Sequence, residues 1–255
     1  MPRKDTTVSD SQSKTPRPGG TAAGEPATEA PAGSPTHVTL AVVLQVRDGE
    51  LSVLLWERGR APFRGAWSLP GGYLGPGDTL ERSIRTHLAL KVDVAELSWL
   101  EQLETLSDPG RHPAEWQLAT AYLGLVPLGL DPALPEDTAW HSVERLPALA
   151  FDHEAIVLAG RERLAAKLSY TNIGFALAPN EFSISELSAI YTAALGYPVD
   201  PTNLRRVLER RGLLEATGER RAPGREGGRP AAVYRFGSHD LEVTDPFAVL
   251  RPPRA

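Results

Sequence analysis

From His37 onward, apolar runs alternate with polar breaks in a pattern that predicts most of the elements. HVTLAVVLQV is apolar and β-branched, Asp48-Gly49 is a turn dipeptide, and LSVLLWER resumes the apolar run, so a β-hairpin is expected. WSLPGGYL gives another short strand running into glycines. Residues 79–91 read as a helix, and 97–106 and 116–126 as two further strands. Between Asp152 and Leu168, Ile156, Val157, Leu164 and Leu168 fall on one side of an amphipathic helix. Mixed strands with two helices packed over them imply an α/β domain over residues 37–168.

A second unit follows, at 169–238. Ser183 stands three residues before Glu186, the spacing of a capping box. Ile184, Leu187, Ile190, Tyr191, Ala194 and Leu195 then recur at helical spacing until Gly196. Asp200-Pro201 is a second helix start, with Leu204, Val207 and Leu208 on one side and Gly212 as the stop. LLEATGERRAPGREGGRPAAVYRF reads as two short strands around a loop rich in glycine and arginine. Helix, turn, helix and hairpin together describe a winged helix.

Composition narrows the setting. Residues 1–36 hold four basic and four acidic residues among Pro, Gly, Ala, Ser and Thr, with almost nothing apolar, and are expected to form a disordered tail; 239–255 is a second tail. The 255 residues include no cysteine, which removes disulfides and thiolate metal sites, and no stretch fits a signal peptide or a membrane span. A cytoplasmic protein with no membrane partner is the plain expectation. Charge is unevenly divided: residues 201–235 carry nine arginines against four glutamates, a surplus of five, while the whole chain stands at −5. An acidic body with a basic C-terminal patch points to a polyanion partner at that end.

One stretch carries more specific chemistry. LPGG, then GD and a helix, resembles the Nudix box, G-x5-E-x7-R-E-U-x-E-E-x-G-U with U a bulky aliphatic residue. Gly72 matches the first glycine and Asp78 stands at the first glutamate. Thr86 and His87 replace the arginine-glutamate pair, Leu90 and Lys91 the glutamate pair, and Asp93 the last glycine, while Leu88 and Val94 keep the aliphatic positions. The family's helix supplies carboxylates to magnesium, which polarises a pyrophosphate and activates water. Leucine and lysine offer no such oxygen, so hydrolysis is expected to be absent, with no metal and no cofactor. A lysine and a histidine there suit an anion held without metal. A fold kept only as a dimerisation scaffold is the bland alternative.

The surrounding residues resemble the ADP-ribose-recognising branch of that family. EQLETLSDPGRHP is similar to its loop Q-L-x-T-F-x-D-P-x-R-D-P, matching at Thr105, Asp108, Pro109, Arg111 and Pro113 and departing at Leu106 and His112. The resemblance implies an effector site of Arg58, Trp67, Gly72, Asp78, Thr105, Asp108 and Arg111, with Arg58 and Arg111 as the cationic donors a diphosphate needs. Bland readings stand beside these: Trp67 as core, Arg58 as a surface ion pair, Phe151-Asp152-His153 as a helix cap.

From about residue 181 the chain resembles the Nudix-related transcriptional regulators called NrtR, through FSISEL, the Asp200-x-x-Asn203-x-Arg205-Arg206 pattern and GGRPAAVYRF. This implies a Nudix-like α/β/α sandwich joined to a winged helix, and a regulator of NAD metabolism genes. The residues themselves point the same way. The second helix of a helix-turn-helix enters the major groove, and its first turns offer Thr202, Asn203, Arg205 and Arg206 to base edges. Arg210 and Arg211 are expected at phosphates, and Arg225 and Arg229 in a wing. A short recognition helix makes few contacts, so a homodimer on a palindromic DNA operator is expected. Two rivals remain: an ADP-ribose pyrophosphatase using Asp78 with Glu81 or Glu104, and a regulator sensing a sugar.

Overall fold

The computed structural model describes residues 35–92, 97–222 and 230–245, with 91 and 92 placed by backbone alone. The expected N-terminal tail up to residue 34, the wing arginines Arg225 and Arg229, and residues 246–255 lie outside the described residues.

Strands β1 (Thr36–Arg47) and β2 (Glu50–Glu57) pair antiparallel with Arg47 opposite Glu50. Asp48 (φ 49°) and Gly49 (φ 79°) both occupy the left-handed region, as a two-residue hairpin of matching twist requires. Next come β3 (Trp67–Ser68), β4 (Gly71–Tyr73), helix α1 (Leu80–Val92), strands β5 (Trp99–Leu106), β6 (Gln117–Leu125) and β7 (Thr138–Ser142), and helix α2 (His153–Tyr170). The sheet runs β3-β2-β1-β6-β5, with β4 attached to β1 and β7 to β2. Along β1 the side chains alternate. Leu40, Val42 and Leu44 enter the larger core with Ile156, Val157 and Leu164 of α2, while Ala41 and Val43 join Ile84 and Leu88 of α1. Both faces of the central strand are therefore covered, which explains its unbroken apolar run. Helix α2 approaches closely at Gly160, where a Cβ would lie 2.8 Å from a methyl of Val42.

Two features depart from the pattern-based expectation. WSLPGGYL is two strands: β3 pairs with β2, and β4 pairs with β1. Strand β7, whose sequence TAWHS has no apolar run, is held at the edge by pairing with β2.

The remaining elements are β8 (Phe182–Ser183), α3 (Ile184–Leu195), α4 (Pro201–Arg210), β9 (Leu214–Arg221) and β10 (Ala231–Phe236), with sheet order β8-β10-β9. This is winged-helix topology. The capping box is formed: the Ser183 hydroxyl accepts from Glu186 N (3.2 Å), and the Glu186 carboxylate accepts from Ser183 N (2.7 Å). Asp200 accepts from Asn203 N (2.7 Å) at the start of α4. No polar linker separates the two halves. Leu168, Ile173 and Phe175 lie in one continuous core with Phe182, Leu187 and Tyr234. Residues 239–245, expected as tail, return to the end of α2, where buried Asn172 donates to Asp240 O and accepts from Glu242 N, both at 2.8 Å.

Candidate functional site

A cavity of about 430 Å³ opens where β4, the segment after β2, the start of α2 and helix α1 meet. Its floor is β1 and β4. Gly71 lies so close to β1 that a Cβ would meet the Thr39 carbonyl at 2.1 Å. Gly72 sits beneath the imidazole of His87, 2.5 Å from where a Cβ would be placed. The His87 Nε2 lies 3.0 Å from the Tyr73 carbonyl, which only accepts, so Nε2 carries the proton.

Cationic groups form one wall. Arg58 donates from Nε to Pro62 O (2.9 Å) and lays its guanidinium 4.7 Å from the centre of the Phe151 ring. Burial lowers its pKa, and the neighbouring Arg60 charge, also on the cavity, adds to the effect. Phe151 is the hub of an aromatic group. Phe63 meets it edge-on at 4.9 Å and His112 stacks on it at 5.2 Å. Phe63 (φ 61°) and Phe151 (φ 56°) both take the left-handed conformation, which bulky residues adopt only where the surroundings impose it. Opposite, the Tyr73 hydroxyl donates to Glu115 (2.9 Å), which raises the tyrosine pKa.

At the back stands His153, 3 % exposed. The backbone N–H of Leu69 donates to its Nδ1 at 3.0 Å, so Nδ1 holds the lone pair and the ring proton sits on Nε2. The Ser68 hydroxyl lies 3.2 Å from the same nitrogen. Burial, then the charges of Arg111 and Arg58, push its pKa down to about 3, so the ring is neutral at physiological pH.

The second candidate surface is α4. Leu204 and Leu208 are buried, while Thr202, Asn203, Arg205, Arg206 and Arg210 are exposed. Arg206 donates to the Asn203 side-chain oxygen (2.8 Å), and Arg205 donates from Nε to Glu209 (2.8 Å). Arg211 departs from expectation. It turns inward to Ser169 O (2.7 Å) and Asp245 (3.4 Å), its side chain 12 % exposed, and so is held within the fold rather than presented beside Arg210. Among the described residues, no helix is long and apolar enough to cross a membrane.

Residues 35–159 match the NUDIX domain family, and residues 174–236 match the NrtR DNA-binding winged helix domain. The crystal structure of Shewanella oneidensis NrtR complexed with a 27mer DNA aligns with a TM-score of 0.68 at 33 % identity, over 78 % of this chain and 92 % of that one. The chain belongs to the NrtR family. The ADPR responsive transcriptional repressor NtrR of Acinetobacter baylyi is 28 % identical over 228 residues, 87 % of this chain and 89 % of its own length. The ADP-ribose pyrophosphatase of Methanocaldococcus jannaschii is 31 % identical over 114 residues, 41 % of this chain and 63 % of that enzyme.

In this NrtR-family chain, two of the seven residues expected at the effector site, Arg58 and Gly72, line the cavity. Trp67 packs on His141 with ring centres 4.3 Å apart. Asp78 faces Arg82 at 3.5 Å beside α1, and Thr105 shares a hydrogen bond with Thr120 (3.1 Å). Asp108 caps a single helical turn through Gly110 N (2.7 Å). Arg111 grips Asp152 with two bonds, of 2.8 and 3.0 Å, and reaches Gln117 of the cavity wall at 3.4 Å. Arg60, Tyr73, Glu115 and Gln117 also line the cavity, although no motif marks them. Arg60 stands two residues after Arg58, but the others meet only because β1 carries β4 on one side and the start of β6 on the other. Of the box positions, Thr86 is exposed, Leu90 is 79 % exposed and Leu88 is core. The side chain of Lys91, and Asp93 and Val94 entirely, lie outside the described residues.

Proposed function

We propose that this chain is a DNA-binding transcriptional repressor of NAD metabolism genes, whose Nudix half binds ADP-ribose or a closely related nucleoside diphosphate conjugate and does not hydrolyse it. One observation carries the reading. Where a Nudix hydrolase presents a metal-binding carboxylate, this helix presents His87, its ring against Gly72 and its Nε2–H on the Tyr73 carbonyl. Magnesium needs hard oxygen donors, and neither this imidazole nor the solvent-facing Leu90 supplies one, so the residues present do not fit the ion. The three carboxylates a rival enzyme would call on lie off the cavity. Asp78 faces Arg82, Glu81 holds Arg85, and Glu104 lies beside Glu162 and Arg163 of α2.

What the cavity does offer suits a diphosphate conjugate. Arg58 and Arg60 are cationic donors, neutral His153 adds an N–H, and the Phe63–Phe151 rim gives an apolar surface. In this reading Arg58 and Gly72 are contact positions. Trp67, Asp78, Thr105, Asp108 and Arg111 shape the walls. The description of the Acinetobacter relative as ADPR responsive supports the same ligand class.

The DNA-reading surface is the exposed side of α4, with Thr202, Asn203, Arg205 and Arg206 at base edges and Arg210 at phosphate. Arg225 and Arg229 are assigned to wing contacts. A homodimer on a palindromic operator in the cytoplasm completes the proposal. The test is a mobility shift with DNA upstream of the chain's own gene, with and without ADP-ribose. A specific shift weakened at least about five-fold by ADP-ribose is expected. Arg58→Ala should keep the shift and lose the response. Response to a free pentose or ribose phosphate but not to ADP-ribose would move the ligand to the sugar class. Absence of any specific shift would overturn the proposal.

A further inference from the structure

Helix α4 carries one acidic residue, Glu209, among the arginines of its exposed side. Helix stability does not explain it. Glu209 is the penultimate residue of Pro201–Arg210, where the helix dipole disfavours an anion. Its partner Arg205 lies four residues before it, the less favourable order for an intrahelical pair, and both side chains are about half exposed, where such pairs add little. On a surface meant for DNA, an anion also repels phosphate.

The geometry around Arg205 supplies a reason. Its Nε donates to Glu209 Oε1 at 2.8 Å, and its guanidinium lies 5.5 Å from the ring centre of Tyr234 on β10, across a shared cleft. An otherwise flexible side chain is thus held by a bond at its inner nitrogen and by a ring from a different element. With Nε engaged, the outer edge of the fork carries the two Nη groups. Guanine alone presents two acceptors, N7 and O6, to such an edge in the major groove.

We propose that Glu209 is a positioning residue for base selection: with Tyr234 it fixes Arg205 so that the helix demands guanine at one operator position. Glu209 gives up general phosphate attraction in return for that selectivity. The inference rests on the operator-binding reading and adds to it a residue that raises specificity while lowering non-specific affinity.

That opposition makes it testable. The full chain is used to select binders from a duplex pool randomised across the operator half-site, and binding to an unrelated duplex of equal length is titrated against salt. Wild type should demand guanine at one position. Arg205→Ala should lose that demand. Glu209→Ala should lose it by about ten-fold or more, yet bind the unrelated duplex more tightly, with a salt dependence steeper by about one released ion. Glu209→Gln, whose side-chain oxygen still accepts from Nε, should restore part of the preference, and all variants should melt like wild type. If Glu209→Ala keeps the full preference, or weakens specific and unrelated binding equally, the inference fails while operator binding stands. If wild type selects no sequence, the operator-binding reading fails as well.

Discussion

At the scale of single residues, His153 shows how position overrides type. The same imidazole on the surface would titrate near neutrality, but here it is enclosed, accepts the Leu69 N–H and faces two arginines. Its pKa of about 3 lies below the unfolded value near 6.5, so its contribution to stability is complete above pH 6.5 and is lost as pH falls towards 3. The slope it adds cannot exceed about 1.4 kcal/mol per pH unit. Urea denaturation at pH 7.5 and 5.0 should therefore show a larger loss for wild type than for His153→Gln; equal losses would place the ring in a less enclosed setting. The sequence gives partial notice of this site. Arg58 and Gly72 are recognisable from the box and its flank, because those positions are set by local spacing. Tyr73, Glu115 and Gln117 are not, since they meet only through strands distant in the chain. Arg111 is instructive in the other direction. A cation beside a suspected diphosphate site is the natural guess, yet its side chain is 3 % exposed and committed to Asp152.

Among the elements, legibility follows how much of the cause is local. The Asp48-Gly49 turn, the capping box of α3 and the Asp200-Pro201 start of α4 are written in adjacent residues, and all three form. Strand β7 and the β3–β4 division are decided by pairing with β2 and β1, and no periodicity announces them. The caps also carry a prediction. Ser183→Ala removes the acceptor for Glu186 N and should destabilise the chain by about 1 kcal/mol. Because Glu186 also bonds Arg221 at 2.6 Å, loosening this cap should disturb β9 as well. Hydrogen exchange checks this: faster exchange in both α3 and β9 is expected, whereas an effect confined to α3 would break the link.

At the scale of the molecule, the decisive feature is that no seam divides the Nudix and winged-helix parts among the described residues. Core residues run without interruption from β1 and α2 into α3 and β10, and α3 packs against β1 and β2. A ligand bound between Arg58, Phe151 and His153, as proposed, would act on a body that shares its packing with α3 and α4, so small shifts at one end would have a contiguous route to the other. In the proposed function that ligand is a signal rather than a substrate, because α1 sets His87 against Gly72 where a Nudix hydrolase sets a carboxylate. Calorimetric titration of ADP-ribose into the purified protein, in magnesium and in chelator, followed by chromatography of the recovered ligand, addresses this directly. Equal affinity in both buffers and intact ADP-ribose at the end are predicted. Magnesium-dependent conversion to AMP and ribose phosphate at an enzymatic rate would contradict it.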